Sequence, residues 1–354
     1  MAHNVREKRL QAFKVLLEGF SWVRLVFPEQ DELKSHLSHN AKVMRKAGYL
    51  REKFGENAFV AIYFAHDISA DFIAQSAMQA FPNADRICFG DALGVVYSNN
   101  YFTGLTYPMG LTGDVLRRPD QAFRNMLFRL KRAWTLPPAS RRLAADYAVL
   151  ILPCDPGGDF LAGKKLLPVD AETLRQVLKS LSAAAYRHLK EEANWVSGSA
   201  DSCSVMLLGS YSESRLTTEE QECALYVEAA RRLVMPGSKL ILKAHPVSQQ
   251  QKVNRIAQAL SSYYDIVVSN SDELPIETMP WLAKQSRVLS FSYSSVSLHY
   301  LYGSKVIHAM SDALINVYFP KEKLQWMHDS NQLYLEQLAG ARLLRSKQQE
   351  FLNV

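Results

Sequence analysis

The sequence lacks the features that mark several classes of protein. No apolar run approaches the roughly 18 residues that a membrane span requires. The first residues, MAHNVREKRLQAF, are charged and have no apolar core of the kind found in a signal peptide. The four cysteines never occur at CxxC spacing, so neither a zinc site nor a redox motif is expected. We therefore expect a cytoplasmic protein in which Cys88, Cys154, Cys203 and Cys223 are free thiols.

The composition is that of a soluble globular protein. The chain has 354 residues, of which 48% are hydrophobic and 21% charged, so general disorder is excluded. This length allows two domains or one large α/β domain. A formal net charge of +6 favours an anionic partner such as a phosphate ligand, a nucleic acid or an acidic membrane surface.

Much of the positive charge lies in one basic segment, residues 117–142. The segment carries eight Lys or Arg against one acid. A helix here can place apolar residues on one side and arginines on the other, which suits an anionic membrane surface or an anionic glycan. An ordinary solvated helix face explains the pattern as well, and the sequence leaves both readings open. The apolar residues are Leu116, Phe123, Leu127, Leu130 and Trp134.

Apolar strands alternate with helices along the chain, which is the pattern of parallel sheets covered on both faces. The alternation begins afresh near residue 200. We predict an α/β fold with two Rossmann-like domains at 1–195 and 196–330, and a C-terminal helix at 331–354 that packs back on the first. The ligand cleft is expected where the carboxyl ends of the two sheets face each other.

The second domain has the clearer pattern. Its predicted strands are CSVMLLGSYS, SKLILKAHP, DIVVSN, SRVLSFS and SKVIHAM. One long helix is predicted over 170–195, before these strands. Another follows the first strand, with Thr217 or Thr218 as its N-cap.

A histidine follows the predicted strand in SKLILKAHPVSQQ, residues 238–250. Pro246 fixes its own φ and biases His245 towards an extended backbone, which sets the direction of the imidazole. An imidazole at the carboxyl end of a strand can donate a hydrogen bond to a phosphate or a proton to a leaving group. For His-Pro alone, a surface histidine at a strand end is the commoner explanation.

Four serines crowd the junction between a predicted strand and a predicted helix: Ser290, Ser292, Ser294 and Ser295. Hydroxyls and unpaired N–H groups at a helix N-terminus suit a phosphate. Ordinary capping is the alternative, although it needs only one serine.

Two carboxylates follow apolar segments. Glu277 lies near the start of a short helix, where it can accept hydrogen bonds from ribose hydroxyls or a base amine. Stabilisation of the helix dipole is the simpler explanation. Asp91 follows a strand in RICFGDALGVVY and can deprotonate a hydroxyl in a cleft. An Asp turn that closes the strand is the alternative.

Taken in this order, the motifs resemble bacterial sialyltransferases, especially the α-2,8-polysialyltransferase and lipooligosaccharide sialyltransferase families. The resemblance covers roughly residues 60–310. It implies a glycosyltransferase-B fold, a CMP-sugar donor, a glycan acceptor, inversion of the anomeric configuration and no metal or other cofactor.

The resemblance also implies roles for individual residues. Asp91 takes the place of the catalytic base, in Gly90-Asp91-Ala92, where the family motif has a second acid and a glycine. His245 is implied as the second catalytic residue, in contact with the CMP phosphate. The residues implied to bind the donor are His245, Pro246, Glu277, Ser292, Ser294 and Ser295.

The leading hypothesis is an inverting glycosyltransferase that transfers sialic acid or a related 2-keto sugar acid, such as Kdo, from its CMP donor to a capsular or lipooligosaccharide glycan. We expect it in the cytoplasm, with peripheral association at the inner face of the membrane through residues 117–142. One alternative keeps the fold but uses a UDP- or GDP-sugar. A second is a basic nucleic-acid-binding protein, although no nucleic-acid-binding motif supports it.

Overall fold

The structure is a computed structural model. The chain forms two compact units. The first unit comprises Met1–His3, Leu25–Ile151 and Pro156–Val169, and the second comprises Asn4–Arg24, Leu152–Asp155 and Asp170–Val354. The predicted domain boundaries at 195 and 330 stay a prediction. The structure describes residues 14–17, 39–64, 72–88, 146–150, 165–198, 203–271, 274–284, 287–291 and 294–352.

The first unit contains a parallel sheet. Its strands β1 to β4 lie in chain order, and each pairs in parallel with the next. Two helices, α1 (His39–Phe54) and α2 (Phe72–Ala80), pack together around a small apolar cluster. The sequence analysis does not predict β4, because four residues that end in a proline are too few for an alternating pattern to show. The strands are β1 (Ala61–Phe64), β2 (Asp85–Cys88), β3 (Tyr147–Leu150) and β4 (Lys165–Pro168).

The second unit contains a five-stranded parallel sheet in the order β7-β6-β5-β8-β9. Numbered within the unit, this order is 3-2-1-4-5, which is that of a Rossmann fold without its sixth strand, and the strand order reverses between β5 and β8. Every residue of β5 is buried, since the central strand is covered on both faces. The strands are β5 (Cys203–Leu207), β6 (Lys239–Lys243), β7 (Asp265–Val268), β8 (Arg287–Ser290) and β9 (Val306–His308).

The helices that accompany this sheet complete the α/β pattern. The predicted class is confirmed: each of the two units is built around a parallel sheet, as a glycosyltransferase-B fold requires, and the second has the strand order of a Rossmann fold. How the units face each other stays a prediction. The helices are α3 (Ala171–His188), α4 (Lys190–Ser197), α5 (Glu219–Leu233), α6 (Gln250–Leu260), α7 (Pro280–Ala283), α8 (Ser294–Tyr302), α9 (Asp312–Tyr318) and α10 (Lys321–Leu352), with a 3-10 turn at Ile276–Thr278.

Two helices differ from their predicted extents. The long helix predicted over 170–195 is broken at Leu189, whose φ of −116° and ψ of 32° are not helical and whose side chain is buried. The C-terminal helix α10 starts ten residues before the predicted 331, at Lys321, and packs within the second unit against α8 and α9. Among the helices that the structure describes, none has an apolar stretch long enough to cross a membrane.

The core of the second unit lies between the sheet and α5, α6 and α9. Tyr226 of α5 is fully buried, and its ring meets Phe291 edge to face at 4.8 Å. A fully buried aliphatic or aromatic side chain contributes about 1.5–3 kcal/mol to stability. The strands thus bury aliphatic residues in the core, and the chain continues from their carboxyl ends into loops. These core strand residues are Met206, Leu240, Leu242 and Leu289.

The start of α5 confirms the predicted cap and identifies it as Thr218. Its hydroxyl accepts the Gln221 N–H at 3.2 Å, and the Gln221 side chain accepts the Thr218 N–H at 3.5 Å, which forms a capping box.

We predict that Thr218→Ala lowers the free energy of unfolding by about 1 kcal/mol, as loss of an N-cap does. Urea denaturation measures this. Thr218→Ser keeps the capping hydroxyl and should stay close to wild type, and equal losses in both variants would contradict the cap.

Candidate functional site

The candidate site lies at the carboxyl edge of the second sheet. Leu207 of β5 pairs with Lys243 of β6 on one side and with Ser290 of β8 on the other. The loops that follow these three residues therefore leave the sheet side by side. Open parallel sheets bind ligands outside their carboxyl ends at the point where the strand order reverses, and β5 and β8 lie at this point.

His245 lies in a tight turn after β6. The Ser248 N–H donates to the His245 carbonyl at 2.8 Å and closes the turn, with Pro246 as its second residue. The Val247 N–H donates to Nδ1 of His245 at 3.3 Å. Because Nδ1 accepts this bond, the neutral imidazole carries its proton on Nε2. The half-buried ring is thus held as a hydrogen-bond donor through Nε2.

Two hydrogen bonds connect the loop after β5 with its neighbours. The Ser248 hydroxyl donates to the Gly209 carbonyl at 3.4 Å, which joins it to the turn of His245. The Tyr211 hydroxyl donates to the Phe291 carbonyl at 2.7 Å, which joins it to the end of β8. The loops after β5, β6 and β8 therefore form one connected surface within the second unit.

A buried carboxylate holds the loop after β5 in place. Glu222 of α5 is fully buried, and it accepts the N–H groups of Tyr211 at 3.1 Å and Ser212 at 2.8 Å. The Tyr226 hydroxyl donates to Glu222 at 2.7 Å and accepts the Gly209 N–H at 2.8 Å. One side-chain network therefore fixes three backbone positions of this loop.

Lys252 of α6 compensates the buried charge of Glu222. Its side chain is 1% exposed, and its ammonium group lies 3.0 Å from Glu222 and 2.7 Å from Glu213. Burial alone raises the pKa of Glu213, but the hydrogen bond and charge of Lys252 outweigh it and hold that pKa below its usual value. Removal of one member of such a pair typically costs about 3–5 kcal/mol, because the other charge is left buried alone.

Glu277 lies in the 3-10 turn and is only 7% exposed. The Ser297 hydroxyl of α8 donates to its carboxylate at 2.6 Å. Burial raises the pKa of Glu277, and this effect exceeds the opposing effects of the Ser297 bond and the positive charge of Lys243. The Tyr302 hydroxyl donates to the Glu277 carbonyl. Contact of Glu277 with a nucleotide stays a prediction.

The serine motif is described only in part. Ser290 and Ser295 are fully buried, and the Ser295 hydroxyl bonds to the hydroxyl of Tyr334 on α10 at 2.5 Å. Helix α8 begins at Ser294. Ser292 and the side chain of Ser294 lie outside the described residues. Donor binding by these serines stays a prediction.

A second histidine lies at the end of a strand. His308 closes β9, its ring stacks on Tyr334 at 4.2 Å, and its Nε2 bonds to Asn331. Burial lowers the pKa of His308, which favours the neutral imidazole. The sequence analysis missed it, although the predicted strand SKVIHAM already placed this histidine at a carboxyl end. The argument made for His245 would have found it.

Asp91 and the basic segment 117–142 lie outside the described residues, so their positions relative to His245 stay predictions.

Cys203 and Cys223 are free thiols, and burial raises the pKa of each to about 11, which makes them poor nucleophiles. Over the ranges that the structure describes, no group of three or more His, Cys, Asp or Glu is placed to hold a metal ion.

Comparison with known proteins gives a family match over most of the chain. The profile of a family described as alpha-2,8-polysialyltransferase (POLYST) matches residues 28–311. No curated protein matches the chain. A solved structure, UDP-GlcNAc 2-epimerase from Neisseria meningitidis bound to UDP-GlcNAc, is similar with a TM-score of 0.46 and 10% sequence identity, over 98% of this chain and 90% of that chain. A TM-score this low supports no conclusion about fold or function.

The raised pKa of Glu277 predicts a specific pH dependence of stability. Because the carboxyl group ionises less readily in the folded chain than in the unfolded chain, its contribution is fully present below the unfolded pKa and is lost as the pH rises through the folded pKa. Glu277→Gln cannot ionise, so wild type should lose stability relative to this variant as the pH rises from about 4. Urea denaturation at a series of pH values from about 4 upwards measures this difference in the free energy of unfolding.

Glu191→Gln is the matched control, because the Glu191 side chain is exposed on α4. This variant should follow the pH dependence of wild type. A parallel pH dependence in wild type and Glu277→Gln would contradict the burial of Glu277.

Proposed function

The chain belongs to the alpha-2,8-polysialyltransferase family, and we propose that it transfers sialic acid or a related 2-keto sugar acid such as Kdo from a CMP-sugar to a capsular or lipooligosaccharide glycan. Membership of this family identifies the chain as a glycosyltransferase of sialyltransferase type, with a nucleotide-sugar donor and a glycan acceptor. The proposal adds the CMP nucleotide, the transferred sugar acid and the residues that act on them.

The observation that carries the proposal is the orientation of His245. Its Nδ1 accepts the Val247 N–H at 3.3 Å, so that Nε2 of the neutral imidazole carries the donor proton, after the strand next to the switch point of the sheet. One imidazole donor on the same sheet edge as a helix N-terminus suits the single phosphate of a CMP-sugar. A UDP- or GDP-sugar carries two phosphates, for which a bidentate Arg clamp is the usual partner.

The proposed reaction is a single displacement. The acceptor hydroxyl oxygen attacks the anomeric carbon of the sugar, and the bond from that carbon to the phosphate oxygen breaks. The electron pair of this bond leaves with CMP, and the carboxylate of Asp91 takes the proton of the attacking hydroxyl. Since only one displacement occurs, the anomeric configuration inverts.

The donor-binding residues stabilise the charge that develops on the departing phosphate. His245 donates through Nε2, and Pro246 holds its backbone in the turn. Ser292, Ser294 and Ser295 contribute hydroxyl or backbone N–H groups at the start of α8, where the helix dipole favours an anion. These donors act without a metal ion in the scheme.

Glu277 completes the proposed donor site. Its carboxyl group accepts a hydrogen bond from a ribose hydroxyl or from the base amine. Because Ser297 already occupies one carboxyl oxygen, the other oxygen makes this contact.

We place the enzyme in the cytoplasm at the inner face of the membrane. Residues 117–142, with eight Lys or Arg against one acid, would contact anionic headgroups there. Each basic residue near such a surface contributes about 1 kcal/mol to binding.

The donor assignment predicts selective stabilisation by CMP. CMP should raise the melting temperature more than UMP, GMP or AMP, and without added divalent metal, because a ligand bound to the folded state stabilises it by about 2.7 kcal/mol at a hundredfold excess over its Kd. His245→Ala should remove both the shift and turnover. Thermal-shift and transfer assays measure these effects.

His188→Ala is the matched control, since His188 is exposed in the last turn of α3. It should keep both the CMP shift and turnover. Equal shifts with all four nucleotides, or a shift that EDTA removes, would contradict the donor assignment.

The assignment of Asp91 as general base predicts a separation of binding from turnover. Asp91→Asn keeps the side-chain shape but cannot accept the proton, so turnover should fall by roughly 10²–10⁴-fold while CMP affinity is retained. Asp85→Asn, at an exposed position on β2, should leave both unchanged. Unchanged turnover in Asp91→Asn would assign the base to another acid, and lost CMP affinity would assign Asp91 to the donor site.

A further inference from the structure

We propose that Ser210 is an additional donor-binding residue, and that its backbone N–H and hydroxyl bind a hydroxyl group of the nucleotide-sugar. The inference rests on the proposed function, because it takes the nucleotide-sugar as the ligand. Ser210 is the third residue after β5, which ends at Leu207. It therefore lies at the carboxyl edge where the strand order reverses.

Ser210 has unused hydrogen-bonding groups at this edge. Its side chain is half-buried, and its carbonyl accepts the Ser214 N–H at 3.0 Å. In the part of the chain that the structure describes, neither its N–H nor its hydroxyl makes a hydrogen bond. The residues on either side differ, because Gly209 and Tyr211 both donate their N–H groups into the protein. One donor N–H and one hydroxyl thus remain for a ligand.

The loop is held rigid around Ser210. The Gly209 N–H is bound by the Tyr226 hydroxyl at 2.8 Å, and the Tyr211 N–H by Glu222 at 3.1 Å. Burial raises the pKa of Tyr226 well above its usual value, so its hydroxyl stays protonated and keeps donating to Glu222. A loop fixed in advance loses little conformational entropy when a ligand binds.

Gly209 favours this close packing of the loop. A Cβ added at Gly209 would lie 3.1 Å from the ring of Tyr211 and 3.4 Å from the Tyr226 hydroxyl. Any larger residue would therefore require the Tyr211 ring to shift, while the Tyr226 hydroxyl would stay at ordinary contact distance. The glycine lets the backbone before Ser210 lie directly against the side chains that fix it.

The charges beneath the loop decide which part of the donor Ser210 can take. The carboxylates of Glu213 and Glu222 both contact one ammonium group, that of Lys252, so within this cluster acid exceeds base by one. A phosphate or a sugar carboxylate at Ser210 would be repelled by this excess negative charge, whereas an uncharged hydroxyl would not. The phosphate is assigned to His245, whose turn contacts the Gly209 carbonyl through Ser248 at 3.4 Å. Ser210 is therefore placed beside the phosphate, at the ribose or at the transferred sugar.

Ser210→Ala tests the proposal with two ligands, CMP and the intact CMP-sugar, measured by calorimetry. Loss of one hydrogen bond to an uncharged group should weaken binding about 3- to 10-fold. If the partner is a ribose hydroxyl, both ligands should bind more weakly. If it is a hydroxyl of the transferred sugar, only the CMP-sugar should be affected.

Ser214→Ala is the matched control, because Ser214 is exposed in the same loop. It should bind both ligands as wild type does. Wild-type affinity of Ser210→Ala for both ligands would overturn the proposal. If wild type binds another nucleotide in place of CMP, the donor assignment fails, and the same comparison with that nucleotide decides the role of Ser210. A wild-type chain that binds none of the four nucleotides overturns both.

Discussion

The parallel pairing of the five strands in the second unit is the constraint on which the candidate site depends. Because all the strands run in one direction, the loops after β5, β6 and β8 leave the same edge, and the register sets Leu207 beside Lys243 and Ser290. His245 lies two residues after Lys243, and α8 begins at Ser294, four residues after Ser290. The sheet thus brings an imidazole donor and a helix N-terminus to one edge from segments about fifty residues apart in the chain.

The second requirement is that these loops keep their conformation when the site is empty. The Glu222 carboxylate holds the loop after β5 by accepting two of its backbone N–H groups, and Lys252 offsets the charge of Glu222. A buried ion pair is seldom retained for stability alone, since apolar residues of the same volume are often as stable. Here the pair fixes the backbone around Ser210, beside the phosphate assigned to His245. Its value to the protein therefore lies in the geometry of the loop.

Much of this edge could be predicted from the sequence, because the relevant signals are local. Apolar runs that end in polar residues indicated the strands of the second unit, and the position of His245 followed from the end of β6. The ion pair between Glu222 and Lys252 could not be predicted, because 30 positions separate its members and only the packing of α5 on α6 brings them together. The burial of Ser295 depends in the same way on Tyr334 of α10, which lies 39 residues later in the chain.

A crystal structure of the chain with bound CMP is the measurement that tests the central claim most directly. The claim is that His245 donates through Nε2 to the phosphate of the donor nucleotide. It predicts CMP over the carboxyl ends of β5, β6 and β8, with a phosphate oxygen about 2.7–3.2 Å from Nε2 of His245. CMP bound away from this edge, or bound with the imidazole of His245 turned from the phosphate, would contradict it.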